Sequence, residues 1–158
     1  MSTLPWLHPD RVALIEKGLS ERIMILDGGM GTMLQGHRLD ETGYRGDRFA
    51  GGHASLPEHD HPGECDLKGN NDPLLLTQPD IIRGVHEAYL EAGADFIENN
   101  TSHVTRVSQA HSPLAHLAHE LNSDGARRAR DACAPMMVQQ TRWQSVCAGK
   151  CVALRCMR

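Results

Sequence analysis

The stretch Arg22-Ile23-Met24-Ile25-Leu26-Asp27-Gly28-Gly29-Met30-Gly31-Thr32-Met33 decides the reading of the chain. A short apolar run stops at a carboxylate, and three glycines follow within four positions. An unbroken apolar run bounded by glycine is the pattern of a strand covered on both faces, as in a parallel sheet. Glycine lets the backbone turn sharply and lets a ligand approach main-chain N–H groups. An acid at the carboxyl end of a buried strand stands where α/β folds place their ligands. The plainer alternative is a strand, a turn, and an Asp27 that only caps the next helix.

Downstream, Thr32 to Gln35 starts a short helix, followed by a polar segment through Phe49. Residues 50–65 shift to a loop composition rich in glycine, proline and histidine. This loop gathers His53, Glu58, His59, Asp60, His61, Glu64 and Cys65, all capable of ligating a metal. The run Asp66-Leu67-Lys68-Gly69-Asn70-Asn71-Asp72-Pro73 is dense in turn-forming side chains. Thr77-Gln78-Pro79-Asp80 opens a helix with a capping hydroxyl, a first-turn proline and an acid. Ile81, Ile82, Val85, Ala88, Tyr89 and Ala92 give it an apolar stripe, His86 lies one step from that stripe in a solvated or edge position, and Gly93 closes the helix. Phe96 and Ile97 then suggest a second buried strand, ending at Glu98-Asn99-Asn100-Thr101. Parallel strands joined by a crossover present their carboxyl ends on one side, so Asp27 and Glu98 are expected to converge. Further on, Leu114, Leu117, Ala118 and Leu121 define a helix stripe that leaves His116 and His119 to solvent. Upstream, Pro9-Asp10 opens a first helix, which Gly18 is expected to keep short.

Composition narrows the classes of function. A chain of 158 residues fits one domain, with 40% hydrophobic and 23% charged residues. Its net charge of −4 gives no case for nucleic-acid binding. No apolar stretch reaches the roughly 18–20 residues that span a bilayer, and the N-terminus has no secretory pattern. A cytoplasmic protein without a membrane partner is expected. Five cysteines, an odd count, argue against a disulfide framework.

Asp27-Gly28-Gly29-Met30-Gly31-Thr32, Asp66 to Asp72, Thr77-Gln78-Pro79-Asp80 and Glu91-Ala92-Gly93-Ala94-Asp95 resemble the amino-terminal homocysteine-binding module of cobalamin-dependent methionine synthases. The Asp-Gly-Gly turn is shared with other homocysteine methyltransferases, while Leu-Lys-Gly-Asn-Asn-Asp points to the cobalamin-dependent branch. The similarity is close from about Glu21 to Thr101 and weaker to Cys133. It implies an α/β fold: a partial (β/α)8 TIM barrel of two to three βα units, since a whole barrel takes about 250 residues. Residues 1–20 would be an N-terminal segment and helix, 21–135 the partial domain with the 50–65 insertion, and 136–158 a divergent, disordered tail, as at a truncated or out-of-frame end. The resemblance implies homocysteine as ligand, with Asp27, Gly28, Gly29, Glu98, Asn100 and Thr101 as binding residues. It also implies zinc, held by three cysteine thiolates, and methylcobalamin on a separate module.

Here the family's Gly-Gly-Cys-Cys stretch has no counterpart, and Asn99 and Ser102 stand where threonine and phenylalanine are expected. The loss of that phenylalanine predicts a loosely packed strand end. No catalytic or metal residue is therefore assigned, neither zinc nor cobalamin is expected on this chain alone, and methyl transfer is expected to be absent. Two other readings stand beside this one. One is a non-catalytic remnant or partner-binding partial domain that self-associates through open sheet edges. The other is a small metal-binding protein using the histidine loop or Cys147, Cys151 and Cys156.

Overall fold

The computed structural model describes residues 9–51, 66–105, 107–108 and 114–139. The histidine-rich loop and Cys147, Cys151 and Cys156 lie outside them. Among the described residues six α-helices succeed one another: α1 (Pro9–Glu21), α2 (Met30–Gly36), α3 (Glu41–Arg45), α4 (Leu74–Thr77), α5 (Pro79–Glu91) and α6 (Ala118–Gln139). A 3-10 turn, Ala115–Leu117, leads into α6. Strand pairing among the described residues is limited to one parallel bridge between Leu26 and Phe96. There Asp27 N–H donates to the Phe96 carbonyl at 2.9 Å, and Asp95 and Phe96 N–H groups donate to Ile25 O at 2.8 and 3.2 Å.

Side-chain carboxylates clamp both ends of that bridge. Asp95 accepts the Ile25 N–H at 2.9 Å and takes the Arg22 guanidinium in a two-pronged ion pair. Asp27 accepts the Glu98 N–H on both oxygens, at 3.1 and 3.0 Å. The Arg22 guanidinium and the Ile25 N–H hold the Asp95 carboxyl below the usual carboxylate range, outweighing the opposing effect of burial.

The main core gathers α2 to α6, with Leu34, Tyr44, Leu74, Leu75, Ile82 and Leu121 among its buried residues. A smaller cluster joins Leu90 and Ile97 to Ala129, Ala132 and Cys133 of α6. The expected covering of the first apolar run is not found: Ile23 is 87% exposed, Ile25 57% and Leu26 52%. The reason is physical. Among the described residues the run pairs only with the Phe96 segment, and α1, which precedes it, buries no residue. A sequence pattern records what a strand can bury, whereas its burial depends on what packs against it.

Helix α1 is longer than expected and passes through Gly18. The missing side chain there admits Met24, because a Cβ at Gly18 would lie 2.8 Å from the Met24 sulfur. Helix α5 begins at Pro79 with Gln78 as the N-cap residue, one position after the expected cap. Thr77 instead closes α4, its hydroxyl donating to Pro73 O at 3.3 Å, while Gln78 Nε2 donates to Gly43 O at 2.8 Å. At the other end, Gly93 takes the left-handed conformation with φ 101°. Gly93 N–H donates to Leu90 O and Ala94 N–H to Tyr89 O, both at 3.0 Å, which completes a Schellman closure.

His86 is the larger correction on α5. It is not at an edge but fully buried, and neither ring nitrogen has a hydrogen-bond partner among the described residues. Ala88 and Ala92, assigned to the stripe, are exposed. The face that packs is centred on Ile82, Val85, His86 and Leu90. Burial lowers the His86 pKa from 6.5 to about 4, so the ring is neutral near pH 7.

Candidate functional site

The expected site residues fall into two neighbouring groups. Asp27 and Glu98 meet because the parallel bridge sets their segments side by side, and the Glu98 N–H reaches the Asp27 carboxylate. Burial raises the Asp27 pKa; the Glu98 N–H opposes that rise and the Glu98 charge adds to it. Gly28 and Gly29 are exposed beyond Asp27, and among the described residues their N–H groups have no partner. A Cβ on Gly28 would stand 3.4 Å from the Tyr89 hydroxyl, so α5 forms the wall behind the turn.

Asn100 and Thr101 are buried rather than presented at this turn. Asn100 Nδ2 donates to the Asn71 carbonyl at 2.6 Å, and Thr101 Oγ1 donates to Asn99 Oδ1 at 2.6 Å. The strand end is not loosely packed, as the missing phenylalanine had suggested. Gly125 of α6 comes so near that a Cβ on it would lie 2.5 Å from Thr101 Cγ2. Asn122 adds a second tie, donating from Nδ2 to Val104 O at 2.8 Å.

Between the glycine turn and the 66–73 loop lies a cleft of about 500 Å³, lined by Gly31, Asn70, Asn71, Asp72, Asn100 and Ser102 among others. Of the expected site residues, only Asn100 borders it. In the sequence Asn71 stands out as turn chemistry and as part of the Leu-Lys-Gly-Asn-Asn-Asp resemblance, not as a binding residue. A run of three short polar side chains after Gly69, whose φ is 96°, was the available signal that this loop faces a cleft. The loop is held from below by Glu41, which accepts the Leu67 and Lys68 N–H groups at 2.9 and 2.7 Å. Burial works to raise the Glu41 pKa, but those two donors and Arg45 together hold it below the usual range.

A model of the family described as homocysteine S-methyltransferase matches residues 24–156. With this glycine turn, the Asn-Asn-Asp loop and the Asp27–Glu98 contact inside the match, the chain belongs to the homocysteine S-methyltransferase family. The match runs across the 50–65 insertion and past Cys133 into the cysteine-rich segment.

The described residues do not fit the zinc that the family resemblance implies. Among them no group of three or more histidine, cysteine or acidic side chains is placed to hold a metal ion. Cys133, the described cysteine, is 1% exposed within the apolar cluster on α6. The polar side chains around the glycine turn and the cleft are carboxylates, amides, hydroxyls and the single imidazole of His103, not thiolates. No described helix is long and apolar enough to cross a membrane.

Proposed function

We propose that this chain is the homocysteine-binding part of a cobalamin-dependent methionine synthase, and that its described residues bind the amino acid without transferring a methyl group. The observation that carries this reading is the meeting of Asp27 with Glu98 beside two glycine N–H groups that have no partner among the described residues. A carboxylate suits the substrate ammonium, and open N–H groups suit its carboxylate. Asn100 and Thr101 support the site from behind. Residues 21–135 represent the opening βα units of a (β/α)8 barrel. The order of apolar segment, helices and a second segment running parallel to the first supports that placement. Because these residues offer no thiolate set, no step that activates the homocysteine sulfur is assigned to them.

Calorimetric titration of the purified chain with L-homocysteine tests the assignment. Native chain should bind, and Asp27→Asn should weaken binding by about tenfold, as loss of one charge-assisted contact predicts. Unchanged affinity in Asp27→Asn would remove Asp27 from the site. Methionine formation from homocysteine and methylcobalamin should stay at the no-enzyme background, and turnover above it would refute the binding-only reading.

One observation favours a second reading, a partial domain that docks a partner. Ile23, Ile25 and Leu26 are exposed beside a segment paired on one side, an arrangement that favours association.

A further inference from the structure

We infer that Tyr44 is a positioning residue for ligand binding, holding the Asn71 side chain so that its amide N–H groups meet the carboxylate of an amino-acid ligand in the cleft. This rests on the homocysteine-binding reading above and adds to the glycine N–H groups a second donor for the same carboxylate. Tyr44 is 8% exposed in the main core, yet its hydroxyl donates to Asn71 Oδ1 at 3.0 Å. Its ring is anchored among apolar side chains while its polar end reaches one specific acceptor. Asn71 is gripped a second time, because Asn100 Nδ2 donates to its carbonyl at 2.6 Å.

With Oδ1 engaged and the backbone held, Nδ2 is left to face the cleft. Among the described residues it has no hydrogen-bond partner. Its neighbour is Gly31, where a Cβ would stand 3.7 Å from Nδ2. Such a Cβ would fit without a clash and would cover the amide, so glycine keeps the donor open. An amide fixed in advance loses little freedom when a ligand arrives, and that is how a buried residue one layer away strengthens binding.

Full-length chain carrying Tyr44→Phe tests this, since the ring stays and only the hydroxyl goes. Two probes are titrated by calorimetry: L-homocysteine and 3-aminopropanethiol, its analogue without the carboxyl group. Tyr44→Phe should weaken L-homocysteine about tenfold and leave the analogue unchanged, a contrast that general loosening of the fold would not produce. Gly31→Ala, which leaves the Tyr44 bond intact, should give the same selective loss. Equal losses for both probes, or none for L-homocysteine, would overturn the role of Tyr44 and leave the function standing. Failure of the native chain to bind L-homocysteine would overturn both.

Discussion

His86 shows at the scale of one residue how an uncharged ring can govern acid stability. Its folded pKa is lowered to about 4 from 6.5 by burial. Above pH 6.5 both folded and unfolded rings are neutral and the residue has no pH effect. As pH falls below 6.5 the unfolded chain takes up a proton that the folded chain refuses until about pH 4. Stability should therefore drop across that window, by on the order of 3 kcal/mol in all. The paired carboxylates Asp95 and Glu120, with pKa values lowered by Arg22 and Arg48, act further down, losing their contribution as pH falls through those depressed values. Urea midpoints measured from pH 7 to pH 4 should fall steeply in native protein and much less in His86→Leu. Parallel curves would show that His86 is not the cause.

At the scale of elements, the meeting of α6 with the 99–101 segment depends on one absent methyl group. A Cβ at Gly125 would lie 2.5 Å from Thr101 Cγ2 and 3.3 Å from Leu75 Cδ1. Gly125→Ala should therefore destabilise the fold by about 2 kcal/mol through overpacking. Adding Thr101→Ser, which deletes the opposing methyl, should recover part of that loss, and a double-mutant cycle reads the coupling directly. Much at this scale was legible in the sequence. Helix α5 and its Gly93 closure follow from stripe and glycine position, although Ala88 and Ala92 of that stripe are exposed. Of the stripe at Leu114, Leu117, Ala118 and Leu121, three residues are buried and Leu117 is half-buried against the core. His86 was not legible because a histidine interrupts the apolar row Ile82, His86, Leu90, which an apolarity pattern passes over. The exposure of Ile23 and Ile25 was not legible either, since alternation and runs describe a strand and say nothing of its neighbours. For the site, the adjacency of Asp27 and Glu98 follows from strand direction, whereas neither residue lines the cleft beside the 66–73 loop. The Tyr44–Asn71 bond joins residues 27 positions apart and needs the tertiary fold to appear.

For the whole molecule, most of the large apolar side chains left exposed among the described residues, Leu14, Leu19, Ile23, Ile25 and Leu26, lie on α1 and the segment just after it, with Met33 and Val107 elsewhere. Self-association is the expected outcome for such a surface. Sedimentation velocity should show association that Ile25→Lys reduces, with the helical content unchanged by circular dichroism. A monomer in both would dismiss the surface as a contact. The carboxylate clamps on the Leu26–Phe96 bridge carry a further consequence. Asp27 serves the chain's own backbone through Glu98 and, in the proposed function, serves the ligand as well. Two equilibria, closing the bridge and holding an amino acid, therefore share one anion and cannot be independent. By reciprocity, whatever ligand binding does to the free energy of that closure, closure does to ligand affinity, with the same sign and size.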